Sequence, residues 1–283
     1  MRSSAGMPTA RGNWAFEEMA NYDIPAAVAH VLEVTGKPKS DIIAHCMRAA
    51  MFSMAVLALK DPQLDPPNNW NHLYQKIGRV LATLPLDRPE FDRENPFWPP
   101  GQFTPWVGTR HRIDALYAKT FSLMNLSDDV LAHIDDFFGP LSVQTVSQVI
   151  HFAQPHVVTD RTGFNQYLVP KRVEKRFIFP ILSIHGDENG LSDVATLELM
   201  RDAMVGAYLP YLNDKKGQPD PTQVAQTSGE ICALIDDKKD DLNQGKGCYM
   251  TWRIAGLGHQ DCLIGQHAAE VSAVMTEFLA RKP

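Results

Sequence analysis

The most constraining feature of the sequence is a short apolar run that leads into a cysteine and then into a long apolar helix. Residues 39–45 include Ile42 and Ile43 and have the pattern of a short strand. The segment 47–59 is apolar on nearly every side, as expected for a helix wedged between a sheet and a covering layer. The order therefore predicts a strand, a sharp turn at Cys46 and a buried helix.

Two further predicted strands end in polar turns. Residues 177–184 form a near-continuous apolar run, typical of a strand buried on both faces of a parallel sheet, and residues 249–255 predict another strand. The first is followed by a turn with Asp187 and Asn189, and the second by a glycine-rich loop with His259. Because the carboxyl ends of parallel strands meet at one edge, we expect these turns and the cysteine turn to share that edge. A nucleophile, an orienting residue and a histidine in that chain order are typical of α/β hydrolases.

Cys46 is the candidate nucleophile of this arrangement. A thiolate can replace a serine alkoxide, and a helix N-terminus is expected to lower the pKa of the thiol. The Met47 N–H is the expected donor to an oxyanion, and His45 is expected either to face the pocket on the oxyanion side or to pack. Arg48 stands where such a turn has a small residue, so it either points outward or distorts the turn. The alternative is a buried structural cysteine.

His259 is the candidate general base, since its loop lies between a strand and the last helix. The alternative is a solvent-facing loop histidine. Two residues compete to orient its ring. Asn189 lies three residues after Gly186, where the orienting acid is expected, whereas the Asp187 carboxylate would better stabilise an imidazolium. The sequence leaves the choice between Asn189 and Asp187 open.

Several motifs resemble a known family. Residues 16–27 resemble the segment before the nucleophile in acid lipases and related α/β hydrolases. Ala44-His45-Cys46, with residues 186–189 and 258–265, resembles the hydrolase-like module fused C-terminally to GMC flavin oxidoreductases of the cholesterol oxidase type. That module commonly has cysteine in the turn, and Asn189 also fits its pattern. The resemblance implies a carboxylic ester hydrolase of lipase or esterase type, acting through a Cys-His-Asn or Cys-His-Asp triad on an apolar acyl or sterol-like substrate.

The expected architecture is a single partial α/β-hydrolase domain over residues 1–283, with a parallel sheet and a helical cap insertion. Residues 1–60 supply a helix from Trp14 to Gly36, the nucleophile strand and the helix after it. Residues 61–172 form a proline-rich and helical cap, with predicted helices at 112–124, 127–138 and 142–152. Residues 173–283 supply the C-terminal strands and helices, with a polar surface insertion at 209–247.

The predicted fold lacks its N-terminal strands, because only forty-five residues precede Cys46 where such a fold normally places four strands. We therefore expect a C-terminal fragment or module of a GMC flavin oxidoreductase, or a chain whose sheet is completed by an oxidoreductase domain or other partner. The chain contains no GxGxxG, so no cofactor is expected in it, and FAD would bind only to an upstream flavin domain.

Missing strands also affect the expected activity. The loop after the third strand normally supplies a second oxyanion donor, and losing one such donor lowers turnover by on the order of a hundredfold. We therefore expect low activity from this chain alone. A non-catalytic module that binds lipid or docks onto a partner is the alternative.

Composition excludes several classes of function. A net charge of -6 without a basic cluster argues against a nucleic-acid partner. The longest nearly apolar stretch, 49–59, is too short to span a bilayer. The four cysteines show no CxxC pair, which argues against zinc and favours free thiols in a reducing compartment. A cytoplasmic location is expected.

Overall fold

The computed structural model describes part of the chain, in ranges separated by gaps. The described residues are 15–58, 83–84, 121–133, 141–142, 145, 147–149, 152, 158–160, 163–192, 194–197, 200–204, 222–244 and 248–281. Nearly all of the proline-rich stretch 61–105 therefore lies outside them. The chain divides into two compact units. The first comprises Met1–Leu84 and Pro140–Arg176, and the second Pro85–Gly139 and Phe177–Pro283.

The described elements are mostly helices with a few short strands. The helices are α1 (Phe16–Glu18), α2 (Ile24–Thr35), α3 (Met47–Leu57), α4 (Asp128–Ala132), α5 (Pro170–Arg176), α6 (Ser228–Asp237), α7 (Lys239–Asn243), α8 (Asp261–Ile264) and α9 (Ala268–Ala280). The strands are β1 (Thr83–Leu84), β2 (Leu141–Ser142), β3 (Ile181–Gly186), β4 (Thr222–Ala225) and β5 (Tyr249–Ile254). β1 and β2 form an antiparallel pair in the first unit.

The described part of the first unit begins with a helical segment where the sequence predicts one. α1 leads through a π turn, Met19–Asp23, into α2. The Glu18 carboxylate accepts a hydrogen bond from the Ala15 N–H at 2.8 Å and so satisfies one free donor at the helix start. Gly36 ends α2 with a left-handed φ of 64°, which glycine adopts without a steric penalty. The predicted glycine stop is confirmed.

The π turn is a feature that helical periodicity does not predict. Pro25 has no N–H, and in a regular α-helix its ring collides with the carbonyl four residues earlier. In the wider turn the Ile24 N–H donates to the Met19 carbonyl, five residues back. The π turn ends at Asp23, two residues before the proline.

The segment before Cys46 is not a strand of any described sheet. Residues 39–45 form no strand pairing with another described residue, and the Ile43 side chain is 63% exposed. Apolar composition favours a strand, but a strand forms only through ladder hydrogen bonds to a neighbour. The predicted nucleophile strand is therefore corrected to an irregular segment that leads into the turn.

The predicted helix after Cys46 is present and forms part of the core of the first unit. α3 buries Met51, Met54 and Leu57, and it packs against the N-terminal helical segment and α5. Arg172 of α5 is buried and donates from Nη1 to the Leu57 carbonyl at 2.7 Å. A buried guanidinium thus stabilises the last turn of α3, where free carbonyls carry partial negative charge.

A parallel sheet lies at the centre of the second unit. Its strand order is β3-β5-β4, so β5 is hydrogen bonded on both sides. Trp252 of β5 pairs with Ile184 on one side and with Ala225 on the other. The buried apolar core around this sheet comprises Ala225, Ile231, Ile235, Leu242, Cys248, Met250, Trp252, Cys262, Val271, Val274 and Phe278. Helices packed on parallel strands give this unit the mixed α/β character that the sequence predicts.

The predicted surface insertion at 209–247 is wrong for its described part. β4 is a strand of the parallel sheet, and α6 buries Ile231 and Ile235 in the core. A capping box between Thr227 and Glu230 begins α6. Composition conceals this organisation because β4 has only four residues, two of them polar, and because a run of aspartates and lysines, 236–241, follows the two buried isoleucines.

Other predicted elements are partly present. The predicted strands at 177–184 and 249–255 correspond to β3 and β5. Ser127 caps α4 as predicted, since its hydroxyl accepts from the Val130 N–H at 3.3 Å. The parts of the predicted cap helices at 112–120 and 134–138 lie outside the described residues. In the part of the chain that the structure describes, no helix is long and apolar enough to cross a membrane.

Gly186, the last residue of β3, allows close contact with the loop after β5. A Cβ at this position would overlap the Leu257 carbonyl oxygen. We predict that Gly186→Ala lowers the free energy of unfolding by about 1–3 kcal/mol, because either the strand or the loop must shift. Urea denaturation should show a lower midpoint.

Gly229→Ala is the matched control for this substitution. Gly229 lies in the first turn of α6, and an added Cβ would meet no atom closer than the Thr227 hydroxyl at 4.0 Å. Alanine should leave stability unchanged or raise it by up to about 1 kcal/mol. Equal midpoints for the two variants would contradict the close approach at Gly186.

Candidate functional site

Cys46 has an unusual backbone conformation. Its φ is 56° and its ψ is -129°, and among the described residues it is the one non-glycine residue with a positive φ. It occupies the N-cap position of α3, and its carbonyl accepts from the Ala49 N–H at 3.0 Å. The chain therefore makes a sharp turn at Cys46, as the sequence predicts. Side chains with a Cβ adopt this conformation only where the surroundings enforce it.

The neighbours of Cys46 leave this turn intact. The Arg48 N–H donates to the His45 carbonyl at 3.1 Å, which closes the turn across the cysteine. The Arg48 side chain is exposed, so it points outward and does not distort the turn. His45 and Met47 are both half-buried beside the cysteine.

The Cys46 thiol is held in its neutral form. Burial raises its pKa, and the hydrogen bond from the Met47 N–H to the sulfur lowers the pKa by a smaller amount. The net direction is upward. The predicted lowering by the helix N-terminus is therefore outweighed by desolvation, which disfavours the thiolate.

In the second unit, Asn189 and His259 lie together at the carboxyl ends of β3 and β5. Asn189 Nδ2 is 3.0 Å from His259 Nδ1. Asn189 Oδ1 accepts hydrogen bonds from the backbone N–H groups of Leu191 and Ser192, both at 3.0 Å. The asparagine therefore spans its own turn and the histidine loop. The common edge predicted for these two turns is present.

Asp187, the other candidate for orienting His259, has a different partner. Its carboxylate pairs with the Arg253 guanidinium of the neighbouring strand β5. Its backbone N–H donates to the Ile254 carbonyl at 2.9 Å, and the Glu188 N–H donates to the Leu257 carbonyl at 2.9 Å. These contacts join the two turns, but Asn189 is the residue whose side chain contacts the histidine ring.

Asp261 fixes the other side of the histidine loop. Its carboxylate is fully buried and accepts from the Gly258 N–H at 2.8 Å and from Asn125 Nδ2 at 2.6 Å. It also accepts from the Ser122 N–H at 3.2 Å. Asn125 Nδ2 contacts the Gly256 carbonyl as well, at 2.8 Å. The loop that carries His259 is thus bound to a segment distant in sequence.

Sequence reasoning assigned no role to Asp261 or Asn125. Asp261 follows His259 by two residues and precedes an apolar stretch, which is a signal for a helix start. No comparable signal marks Asn125, because its partners lie more than a hundred residues away in sequence.

The predicted site residues fall into two groups. Asn189 and His259 contact each other in the second unit, which also contains Asp187. Cys46, His45 and Met47 belong to the first unit. Within the described ranges, no three His, Cys, Asp or Glu side chains are grouped so that they could hold a metal ion.

The buried carboxylate of Asp261 yields a stability prediction. Asp261→Asn places an NH₂ group where Oδ1 accepts from the Ser122 N–H, so that a donor faces a donor. It also removes the negative charge that strengthens the hydrogen bonds from Asn125 and Gly258 to Oδ2. We expect unfolding free energy to fall by about 2–3 kcal/mol, measured by urea denaturation.

Asp202→Asn is the control for this substitution, since the Asp202 side chain is 70% exposed and contacts Arg201 at 3.7 Å. Its effect should stay within about 0.5 kcal/mol. A similarly small loss for Asp261→Asn would show that its hydrogen bonds contribute little.

The raised pKa of Cys46 yields a prediction for thiol reactivity. Only the thiolate reacts with iodoacetamide, and below the pKa of the thiol the thiolate fraction rises tenfold per pH unit. Alkylation of Cys46 should therefore be slow at neutral pH and should still be rising above pH ~8.5, the usual thiol pKa. Peptide mapping by mass spectrometry measures the rate at this residue.

The same chain unfolded in denaturant is the control, and there the rate should level off near the usual thiol pKa. A rate at Cys46 in the folded protein that levels off below pH ~8 would contradict the inferred burial of the thiol.

Comparison with known proteins does not assign the chain to a family. No model of a protein family matches it, and no curated protein matches it. The resemblance to the hydrolase-like module of GMC oxidoreductases stays a prediction from the sequence motifs. Cys46 in the first unit and the Asn189–His259 pair in the second are therefore the features that bear on function.

Proposed function

We propose that the chain is an α/β-hydrolase-like protein that hydrolyses carboxylic esters through an acyl group carried on Cys46. His259, with Asn189 as its hydrogen-bond partner, is the histidine of this reaction. The substrate class is an apolar acyl or sterol-like ester, which follows from the family resemblance. The observation that carries the proposal is the backbone conformation of Cys46, with φ 56° and ψ -129°.

This backbone conformation supports a nucleophile because it is costly to maintain. A non-glycine residue in a sparsely populated region costs on the order of 1–3 kcal/mol, and such residues cluster at active sites. The Met47 N–H, at the first position of α3, donates a hydrogen bond to the Cys46 sulfur. Hydrolases of the α/β class also place their nucleophile at a strained turn that leads into a helix, although there a strand precedes the turn.

The proposed reaction has two steps. The Cys46 thiolate attacks the carbonyl carbon, the C–O bond breaks, and the departing alkoxide takes a proton from water. A second water then attacks the thioester, which releases the carboxylic acid and restores the thiol. The Met47 N–H, freed as negative charge leaves the sulfur, is available to the developing oxyanion.

One observation favours the second candidate function, a non-catalytic module that binds lipid or docks onto a partner. Burial keeps the Cys46 thiol protonated at neutral pH, and a protonated thiol is a poor nucleophile. A fold that keeps the turn but holds the cysteine in its unreactive form suits a degenerate hydrolase.

Acylation of Cys46 distinguishes the two functions. The full chain is incubated at pH 9 with p-nitrophenyl esters of increasing acyl length, and the acylated residue is located by mass spectrometry. We expect an acyl group on Cys46 and ester hydrolysis that Cys46→Ala abolishes, with faster reaction for longer acyl groups.

Cys232→Ala is the matched control, because Cys232 is also a half-buried free cysteine and lies within α6 of the second unit, in ordinary helical backbone. It should retain hydrolysis. Hydrolysis that survives Cys46→Ala, or a chain that is never acylated at Cys46, would contradict the hydrolase proposal and favour the binding module.

A further inference from the structure

We infer that Asn189 fixes His259 in the neutral tautomer that carries its proton on Nε2, so that the ring acts as a hydrogen-bond donor to a substrate oxygen and not as a base. The assignment of the tautomer rests on contacts within the second unit. Its meaning for catalysis rests on the proposed function.

The orientation of the Asn189 amide is set by its backbone partners. Oδ1 accepts from the N–H groups of Leu191 and Ser192, which can only donate. Rotating the amide by half a turn would place its NH₂ group against these two donors and would break both hydrogen bonds. Nδ2 is therefore the atom that faces the histidine.

The amide orientation determines the state of the ring. Nδ2 is a donor without acceptor capacity, so the His259 Nδ1 at 3.0 Å must accept and cannot carry a proton. A neutral imidazole has one proton, and here it remains on Nε2. A general base that acts through Nε2 needs the opposite tautomer, with Nδ1–H donating to a carboxylate or amide oxygen.

A neutral imidazole with Nε2–H has a recognised use in catalysis, which is to polarise a carbonyl oxygen by donating to it. In the proposed function, His259 Nε2–H therefore donates to an oxygen of the ester, which is either the carbonyl oxygen or the oxygen of the leaving alcohol. Asn189 is then a positioning residue, since it acts through the histidine. In this scheme the proton of Cys46 passes to hydroxide from the solvent.

Nuclear magnetic resonance of the folded full chain measures the tautomer directly. In protein labelled with ¹⁵N-histidine at pH 8, proton–nitrogen correlations distinguish a protonated from an unprotonated ring nitrogen, and His259→Gln identifies the His259 signals by their disappearance. We expect a protonated Nε2 and an unprotonated Nδ1 in the wild-type chain. A protonated Nδ1 would overturn the inference.

Asn189→Asp should reverse the tautomer. One carboxylate oxygen can still accept from Leu191 and Ser192, and the other accepts from Nδ1–H, so the Nε2 lone pair becomes available. An unchanged pattern in a variant that remains folded would overturn the inference.

Asn165→Asp is the control variant, because Asn165 Oδ1 accepts from the N–H groups of Tyr167 and Leu168 in the same local motif but in the first unit. This variant should leave the His259 signals unchanged. A tautomer change in Asn165→Asp equal to that in Asn189→Asp would also overturn the inference, since contact with the ring would then be irrelevant.

Acylation of Cys46 separates this inference from the proposed function. In Asn189→Asp the Nε2 lone pair of His259 is available as a base. This variant should therefore accelerate acylation of Cys46 at pH 7 by on the order of a hundredfold relative to the wild-type chain. If the tautomer reverses but neither chain is acylated, the tautomer stands and the proposed function fails. If the wild-type chain is acylated and its Nδ1 is protonated, the function stands and the tautomer inference fails.

Discussion

The buried carboxylate of Asp261 is the interaction on which the geometry around His259 depends. It joins Ser122 to a loop 139 residues away in sequence, and it also binds Asn125 and Gly258. A buried charge is tolerated only when hydrogen bonds replace the water it has lost. Two of these donors are backbone N–H groups, and the third is the short side chain of Asn125. The carboxylate therefore restricts the movement of the histidine loop.

The parts of the fold that the sequence predicts are those whose signal is local. Gly36 as a helix stop, the turn at Cys46 and the strand before His259 each depend on residues adjacent in the chain. The strand predicted at 39–45 fails because pairing needs a neighbour that composition does not reveal. β4 is not predicted for the opposite reason. Its segment is short and partly polar, and it is a strand because it pairs with β5.

The candidate site shows the same division. The sequence places Asn189 and His259 at strand ends, which brings them to one edge, but it cannot choose between Asn189 and Asp187. That choice depends on Arg253, which pairs with Asp187 from the adjacent strand. The direction of the Asn189 amide depends in turn on the backbone of residues 191 and 192. Such details follow from register and turn geometry, which become fixed only when the sheet forms.

At Cys46 and His259, the backbone geometry favours a catalytic role, whereas the protonation state disfavours it. The strained turn at Cys46 supports the nucleophile of the proposed function, whereas burial raises the pKa of the thiol and so disfavours the thiolate. In the tautomer that we infer, the Asn189 contact likewise holds a histidine in place while it occupies the lone pair of Nδ1. Packing and backbone hydrogen bonds maintain the shape of the turn and the loop, whereas a few polar atoms determine the reactivity. A single substitution can therefore change the reactivity while the shape persists.

The central position of β5 has a consequence for motion. Of the described strands, β5 alone has sheet neighbours on both sides, and its carboxyl end leads into the histidine loop. Amide hydrogens inside such a strand exchange with solvent only when a larger part of the fold opens. We therefore expect local opening of the described sheet to begin at β3 or β4. The Asn189–His259 contact should then be lost first through movement on the β3 side, because the histidine loop follows β5 directly.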